Sequence, residues 1–375
     1  MHSERFGFGC AALIAAMVMS GCGHAAPPSQ VKAAGGASPS AKAADDASSS
    51  GSKTPATLDQ AKKVLDLRDL PLAPGSEDPG ARSVARLTYN ATKPAPEAYA
   101  FHQKELAQRG WRETPGGYQS DEMASGTFVR DGYTLSMSAS KVGDETMVSL
   151  TNHGNLDART LPQPAAATVL YEAPVSIAYV TRAPVASVAK QVEEALVAAG
   201  WKPYGSAGDS RYYKQNAIRL LATTSTAPAQ GGKTVVSYQT ELLSADLPAP
   251  ADAKQLQYSE PPTQLSVDFP GDLTASDKWY REHLGKLGWK PTTEQPVKDD
   301  FTYFVIYRNE AGEMLEITFR KIEAEEDEAA GESAETDETT ALTRLMLRFT
   351  TAEEFAAMEK RWEEQRRKAA KESRE

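Results

Sequence analysis

The chain has 375 residues, a formal net charge of −10 and two cysteines. That length allows two to four domains of ~100–200 residues each. Composition excludes collagen, a coiled-coil rod and a polytopic membrane protein, because after the first 21 residues no apolar run approaches the ~20 residues of a spanning helix. Two cysteines in so long a chain also exclude a disulfide scaffold.

Residues 1–5 carry one arginine offset by Glu4, residues 6–19 are apolar with glycine and alanine, and Met19-Ser20-Gly21-Cys22 follows. This is the shape of a secretory signal peptide. Met19-Ser20-Gly21-Cys22 resembles the lipobox of bacterial lipoproteins, with methionine where leucine is usual. The resemblance implies removal of residues 1–21, acylation of Cys22 and a membrane-anchored protein facing the periplasm or the cell exterior. An ordinary cleaved signal peptide with an incidental cysteine is the alternative. On the lipoprotein reading Cys10 leaves with the signal and Cys22 is consumed, so thiol catalysis, Cys-ligated zinc and iron–sulfur chemistry are excluded. At ~0.8 kcal/mol per buried methylene, two or three acyl chains hold a protein on a bilayer without a spanning helix.

Residues 23–57 contain 25 Ala, Ser, Pro or Gly among 35, with no aromatic residue. Such a segment cannot bury enough apolar surface to offset its ordering entropy and reads as a disordered tether. Its root-mean-square span is roughly 30–35 Å.

Beyond the tether the chain repeats itself. Leu65-Asp66-Leu67-Arg68-Asp69-Leu70-Pro71 recurs as Leu156-Asp157-Ala158-Arg159-Thr160-Leu161-Pro162 and, more weakly, as Leu242-Leu243-Ser244-Ala245-Asp246-Leu247-Pro248. In the same phase, Leu106-x3-Gly110-Trp111, Leu196-x3-Gly200-Trp201 and Leu284-x3-Gly288-Trp289 share one pattern. The Leu-Pro leucine precedes the tryptophan by 41, 40 and 42 residues. The spacing predicts three units: 58–155, 156–241 and 242–350.

In each unit a helix precedes the Gly-Trp pair. Val185, Val188, Val192 and Leu196 share one helical face, Pro96 suits a first turn, and Thr274-Ala275-Ser276-Asp277 reads as a capping box. Gly110, Gly200 and Gly288 end the helices in the left-handed conformation, and Trp111, Trp201 and Trp289 pack back as core anchors. A ring of exposed tryptophans for glycans or peptides is the alternative. Strands are predicted before each helix (84–90; 168–171 and 176–181; 255–258 and 264–269). Three follow it, at 127–130, 133–139 and 147–151 in the first unit, 211–214, 218–223 and 234–241 in the second, and 301–308, 314–321 and 342–350 in the third. Period-two alternation with one polar face means antiparallel sheets covered on one side by the helix. The fold class is α+β, three tandem β(β)αβββ units.

Residues 323–338 hold nine acids and no base, so without them the net charge is −1. Gly331 has no Asp-x-Asp-x-Asp-Gly frame for calcium, and the block reads as a solvated insertion. Thr351-Ala352-Glu353-Glu354 is a second capping-box pattern, opening a terminal helix over 351–375 with a short stripe of Phe355, Met358 and Trp362. A membrane-lying helix is the alternative for that segment.

No Gly-x-Ser-x-Gly elbow, phosphate loop or dinucleotide fingerprint is present. His102 and His283 fall on predicted helices at positions where the other units carry no histidine, and His153 lies in a turn expected to be exposed. No catalytic residue, metal ligand or cofactor is assigned. Charge outside the acidic block is nearly balanced, which gives no basic stripe for nucleic acid. In layout the chain is also similar to the lipoprotein subunits of outer-membrane assembly machinery, without a residue-level motif. The expected role is a non-enzymatic, membrane-anchored binding or scaffold module with an envelope protein as partner; ligand or glycan sensing is the alternative, and an envelope enzyme the third.

Overall fold

The computed structural model describes residues 54–77, 82–300, 302–322 and 341–372, with side chains to Lys368. Cys22, the signal segment, the tether up to residue 53, Phe301 and the acidic block at 323–338 lie outside the described residues. The fold is mixed α+β, with three antiparallel sheets and five α-helices among the described residues.

The chain enters through α1 (Leu58–Val64) and a 3-10 turn at Leu67–Asp69. The first sheet comprises β1 (Arg86–Ala91), β2 (Arg112–Glu113), β3 (Tyr118–Gln119), β4 (Met123–Arg130), β5 (Tyr133–Val142) and β6 (Glu145–Asn152). It is ordered β1-β6-β5-β4-β2 with β3 also on β4, and is covered by α2 (Ala95–Gln108). The second comprises β7 (Thr168–Ala173), β8 (Ser176–Thr181), β9 (Lys202–Ala207), β10 (Ser210–Gln215), β11 (Ile218–Ala227) and β12 (Lys233–Leu242), ordered β7-β8-β12-β11-β10-β9 with α3 (Val185–Ala198). The third comprises β13 (Lys254–Ser259), β14 (Gln264–Pro270), β15 (Lys290–Pro291), β16 (Val297–Asp299), β17 (Thr302–Arg308), β18 (Met314–Ile322) and β19 (Leu342–Thr350). Its order is β13-β14-β19-β18-β17-β15, with β16 also on β17 and α4 (Leu273–Lys286) above.

Alternation decides which side of each sheet is covered. Leu315, Ile317 and Phe319 of β18 are fully buried; Ile317 pairs with Leu347 and Phe319 with Leu345, and both partners are buried too. The apolar row thus continues across strands under Tyr280 and Leu284 of α4. On α3 the buried positions are Val188, Val192 and Leu196, one every fourth residue.

Several expectations need correction. The helices α2, α3 and α4 are followed by strands beyond the three expected: β2 and β3 in the first sheet, β9 in the second, β15 and β16 in the third. Two-residue strands such as β2 and β15 carry no period-two signal. The N-cap of α4 is Asp272, whose side chain accepts the Ala275 N–H at 2.8 Å. Thr274 therefore does not open the helix, and Asp277 instead pairs with Arg281 at 2.8 Å. Residues 54–57, assigned by composition to the tether, are bound in place. Ala56 donates to Asn155 Oδ1 at 2.8 Å and accepts from Ala217 N at 3.0 Å, while Asn216 Nδ2 donates to Pro55 O at 2.7 Å.

His153 is half-buried rather than exposed. Its Nε2 lies 2.8 Å from Ser136 Oγ, and burial lowers its pKa. The terminal helix α5 (Ala352–Glu372) does open on a reciprocal cap: Glu354 N donates to Thr351 Oγ1 at 3.2 Å and Thr351 N to Glu354 Oε2 at 2.9 Å. Phe355 is buried with the Arg308 guanidinium 4.0 Å over its ring, whereas Trp362 is exposed.

The three sheets do not behave as separate beads. The described residues form one compact unit, and a single apolar core runs through the first two sheets. A second core serves the third sheet and takes in Tyr204 from β9.

Candidate binding cleft beside Trp289

The three helices end in the same way. Gly110, Gly200 and Gly288 have φ of 81°, 90° and 84°. The following tryptophan N–H donates to the carbonyl five residues back: Trp111 to Leu106 at 2.9 Å, Trp201 to Leu196 and Trp289 to Leu284 at 3.0 Å. The glycine N–H closes the inner bond, to Ala107, Val197 and Gly285. This is the Schellman arrangement, which satisfies two orphan carbonyls and turns the next side chain back onto the last helical turn. Trp111, Trp201 and Trp289 are 3%, 4% and 8% exposed, so they form no surface ring of aromatics.

What lies against each tryptophan differs. Trp201 shares a small cavity of about 150 Å³ with Thr54, Pro55, Leu161 and Pro162. The entering chain therefore occupies most of the space there. At Trp289 the corresponding space is an open cleft of about 370 Å³, walled by α1 and Arg68 on one side and by the third sheet on the other. Its apolar wall is Leu287, 45% exposed, with Phe349, whose ring meets Trp289 edge-on at 6.3 Å.

Most charged groups lining the cleft are already engaged. Arg68 forks onto Asp66, with Nη2–Oδ2 at 2.6 Å, and this pairing raises its pKa. Asp246 pairs with Lys214, Glu313 accepts from Asn309 Nδ2 at 2.7 Å, and Glu354 caps α5. Lys62 and Asp59, both on α1, form no ion pair among the described residues. The cleft can thus hold an apolar side chain against Leu287 and Phe349 while Lys62 and Asp59 meet polar groups of the ligand.

The seam beneath the cleft is built on Glu260. Its carboxylate accepts from Ser83 Oγ at 2.5 Å, Ser244 Oγ at 2.7 Å, Ser244 N at 2.9 Å and the Tyr258 hydroxyl. Ser244 Oγ in turn accepts the Ala85 N–H at 2.9 Å. Nearby, Arg219 pairs with Glu241 and lies over the rings of Tyr212 and Tyr258 at 5.0 and 5.2 Å. The first two Leu-Pro segments have a local ion pair in its place: Asp66 with Arg68, and Asp157 with Arg159 at 2.6 Å.

The histidines stand apart from the cleft. His102 is fully buried on α2, with Nε2 2.6 Å from the Tyr89 hydroxyl, and burial lowers its pKa to about 4. His283 stacks on Trp279 at 3.8 Å and its Nδ1 contacts Trp279 O at 2.8 Å. Among the described residues no group of three or more His, Cys, Asp or Glu is placed to hold a metal ion, and no helix is long and apolar enough to cross a membrane. Sequence reasoning found Trp289 but missed Leu287, Lys62 and Glu260, which converge from distant segments and carry no local motif. No family model, curated protein or solved structure matches this chain.

Proposed function

We propose that this protein is a non-enzymatic binding or scaffold lipoprotein of the bacterial envelope, anchored through acylated Cys22 and built from three copies of one unit. The unit is β(β)α followed by four or five strands. The lipobox-like Met19-Ser20-Gly21-Cys22 supports the anchor. The phase of the Leu-Pro and Gly-Trp motifs supports the repeat, as does the strand order common to the three sheets, β1-β6-β5-β4-β2, β8-β12-β11-β10-β9 and β14-β19-β18-β17-β15.

The observation that carries the binding role is the Trp289 cleft. Its charged groups are largely paired within the protein, so what it offers is an apolar wall at Leu287 and Phe349 with a polar rim. That favours an apolar side chain of a protein segment over a glycan, which needs many unpaired polar groups. A photoreactive residue in place of Leu287, activated in intact cells, should capture a discrete envelope protein. Capture equal to that from an exposed control position such as Glu359 would refute the cleft as a binding site. The anchor is tested separately: Cys22→Ser should release the protein from membranes, and retention in salt-washed membranes would refute acylation there.

A further inference from the structure

Strands β7 and β13 are the outermost strands of the second and third sheets, and they are built alike. Each follows a turn closed by an alanine N–H onto a proline carbonyl, Ala167 to Pro164 at 3.2 Å and Ala253 to Pro250 at 3.1 Å. Each carries a register irregularity at a leucine three residues beyond that alanine. Leu170 lies between paired Val169 and Tyr171, and Leu256 between paired Lys254 and Gln257.

The environments of the two leucines are opposite. Leu256 is 0% exposed, whereas Leu170 is 44% exposed and flanked by exposed Val169 and Tyr171. The cover over Leu256 is β9, the strand that follows Gly200-Trp201. Ser206 donates through N at 2.9 Å and through Oγ at 3.3 Å to Ala253 O. Tyr204 is buried in the third core with its hydroxyl on Leu247 O at 2.5 Å. Gly205, at φ 122°, permits the approach: a Cβ there would stand 2.9 Å from Leu256 Cδ1. Over Leu170 no such strand is present among the described residues; Ala167 O accepts only the nearby Gln163 side chain, at 2.6 Å.

An edge strand with a run of exposed apolar side chains is a template for strand addition. The edge that corresponds to β9 in the first sheet is the segment from β2 to β3, and it too is uncovered. Tyr118 is exposed, and Gly116, at φ 103°, has no atom within 4 Å of where a Cβ would stand. Within one chain this edge does not reach β7, because the first two sheets meet elsewhere, with Gly154 pressed against Ile218. We propose that β7 of one molecule takes the 112–119 edge of a second copy, a strand addition in trans that does not rely on the glycine approach by which β9 packs over Leu256. A reciprocal pair about a two-fold axis uses both free edges of both chains and closes. Arg112 on the donor edge and Glu172 on β7 are both exposed and of opposite charge.

The test uses the chain from residue 22 with Cys22→Ser, which has no other cysteine. Sedimentation equilibrium should show a reversible dimer, and Leu170→Lys should weaken it by about tenfold or more with the thermal midpoint unchanged. Mixing a Leu170→Cys preparation with a Tyr118→Cys preparation should give a disulfide-linked heterodimer on mild oxidation, in excess over either homodimer. If Leu170→Lys fails to fold, Tyr171→Lys replaces it in the first assay. A monomer at every accessible concentration overturns the proposal, as does a dimer indifferent to both lysine variants or crosslinks no more frequent between 118 and 170 than between like positions. A different protein captured on β7 of a monomeric chain also overturns it.

Discussion

His102 gives a prediction whose magnitude follows from burial alone. The ring is fully enclosed on α2, and its only polar contact among the described residues is the Tyr89 hydroxyl, which also accepts the Ala73 N–H at 3.1 Å. With Nδ1 buried and unpartnered, nothing compensates a charge on the ring, and burial holds the pKa at about 4 instead of 6.5. Above pH 6.5 both folded and unfolded chains carry a neutral ring. Between 6.5 and about 4 the unfolded chain binds the proton and the folded chain does not, so stability falls as pH falls. Below about 4 both forms are charged and this residue adds no further slope. The full gap corresponds to about 3 kcal/mol, of which about 2.5 is lost by pH 4.5.

His102→Leu removes the titration. It also strips the Tyr89 hydroxyl of one partner, a cost of about 1–3 kcal/mol that does not depend on pH. Urea unfolding of both proteins at pH 7.5 and 4.5 isolates the histidine, since the carboxylates and His153 titrate in both. The stability difference between wild type and variant should shift by about 2–3 kcal/mol in the variant's favour on acidification. A difference that stays constant across that range would falsify the assignment of a buried neutral imidazole.

Other perturbations probe the anchors and seams. Trp201→Ala should destabilise by ~3–5 kcal/mol in chemical denaturation; a change below about half a kcal/mol would show that the indole contributes little packing. Gly154→Ala forces a Cβ to within 2.2 Å of Ile218 Cδ1 at φ 81° and should cost about 1–3 kcal/mol. Ile218→Val, which removes that methyl, should recover part of the loss, and no recovery would refute the contact. Glu260→Ala strands the Ser83, Ser244 and Tyr258 donors and should cost about 1.5–3 kcal/mol, read as a lower urea midpoint with an unchanged slope. Residues 156–241 alone, which motif spacing presents as a self-sufficient unit, should lack a cooperative thermal transition, because their core continues into the first sheet; a sharp transition would contradict a shared core.

The parts legible in sequence are those encoded within a few residues. A glycine before a tryptophan, five residues after a leucine, contains the whole Schellman geometry, so the ends of α2, α3 and α4 could be read directly. Strands such as β18 and β19 could be read because burial on one face imposes strict alternation. Helix α1 was missed although Thr57 and Gln60 form a reciprocal cap, Gln60 N to Thr57 Oγ1 at 3.3 Å and Thr57 N to Gln60 Oε1 at 2.9 Å. The signal was a Thr-x-x-Gln pattern hidden at the end of a low-complexity stretch. The environment of His153 was misjudged because its cover comes from outside its own turn: the cavity beside it is lined by Tyr212, Arg219 and Glu241 of the second sheet. The cleft was illegible for the same reason, since Lys62, Leu287 and Phe349 are brought together only by packing.

Leu170 and Leu256 mark the limit of local reading. Both follow a Pro-x-x-Ala turn by the same interval, both sit in a strand irregularity, and no property of either segment states which will be covered. The difference is written elsewhere, four residues after a tryptophan. Gly205 occupies that place in the second unit, where the first has Pro115 and the third Thr293. Within one chain, only the glycine lets the backbone close on Leu256 of the next sheet, because any Cβ at that φ would be strained and would meet Leu256 and the Ala253 carbonyl. Departures from the repeat therefore carry information of a different kind from the repeat itself. Shared residues set the fold of each unit, and the unshared glycine sets which edge docks within the chain. On that logic Gly205→Val should separate the two contributions. It should expose Tyr204 and weaken the join between the second and third sheets, while the Schellman turn at Gly200-Trp201 stays intact. Amide exchange should accelerate in β13 and remain slow in α3. Equal acceleration in both elements would refute the division, because the glycine would then be supporting the unit rather than the join.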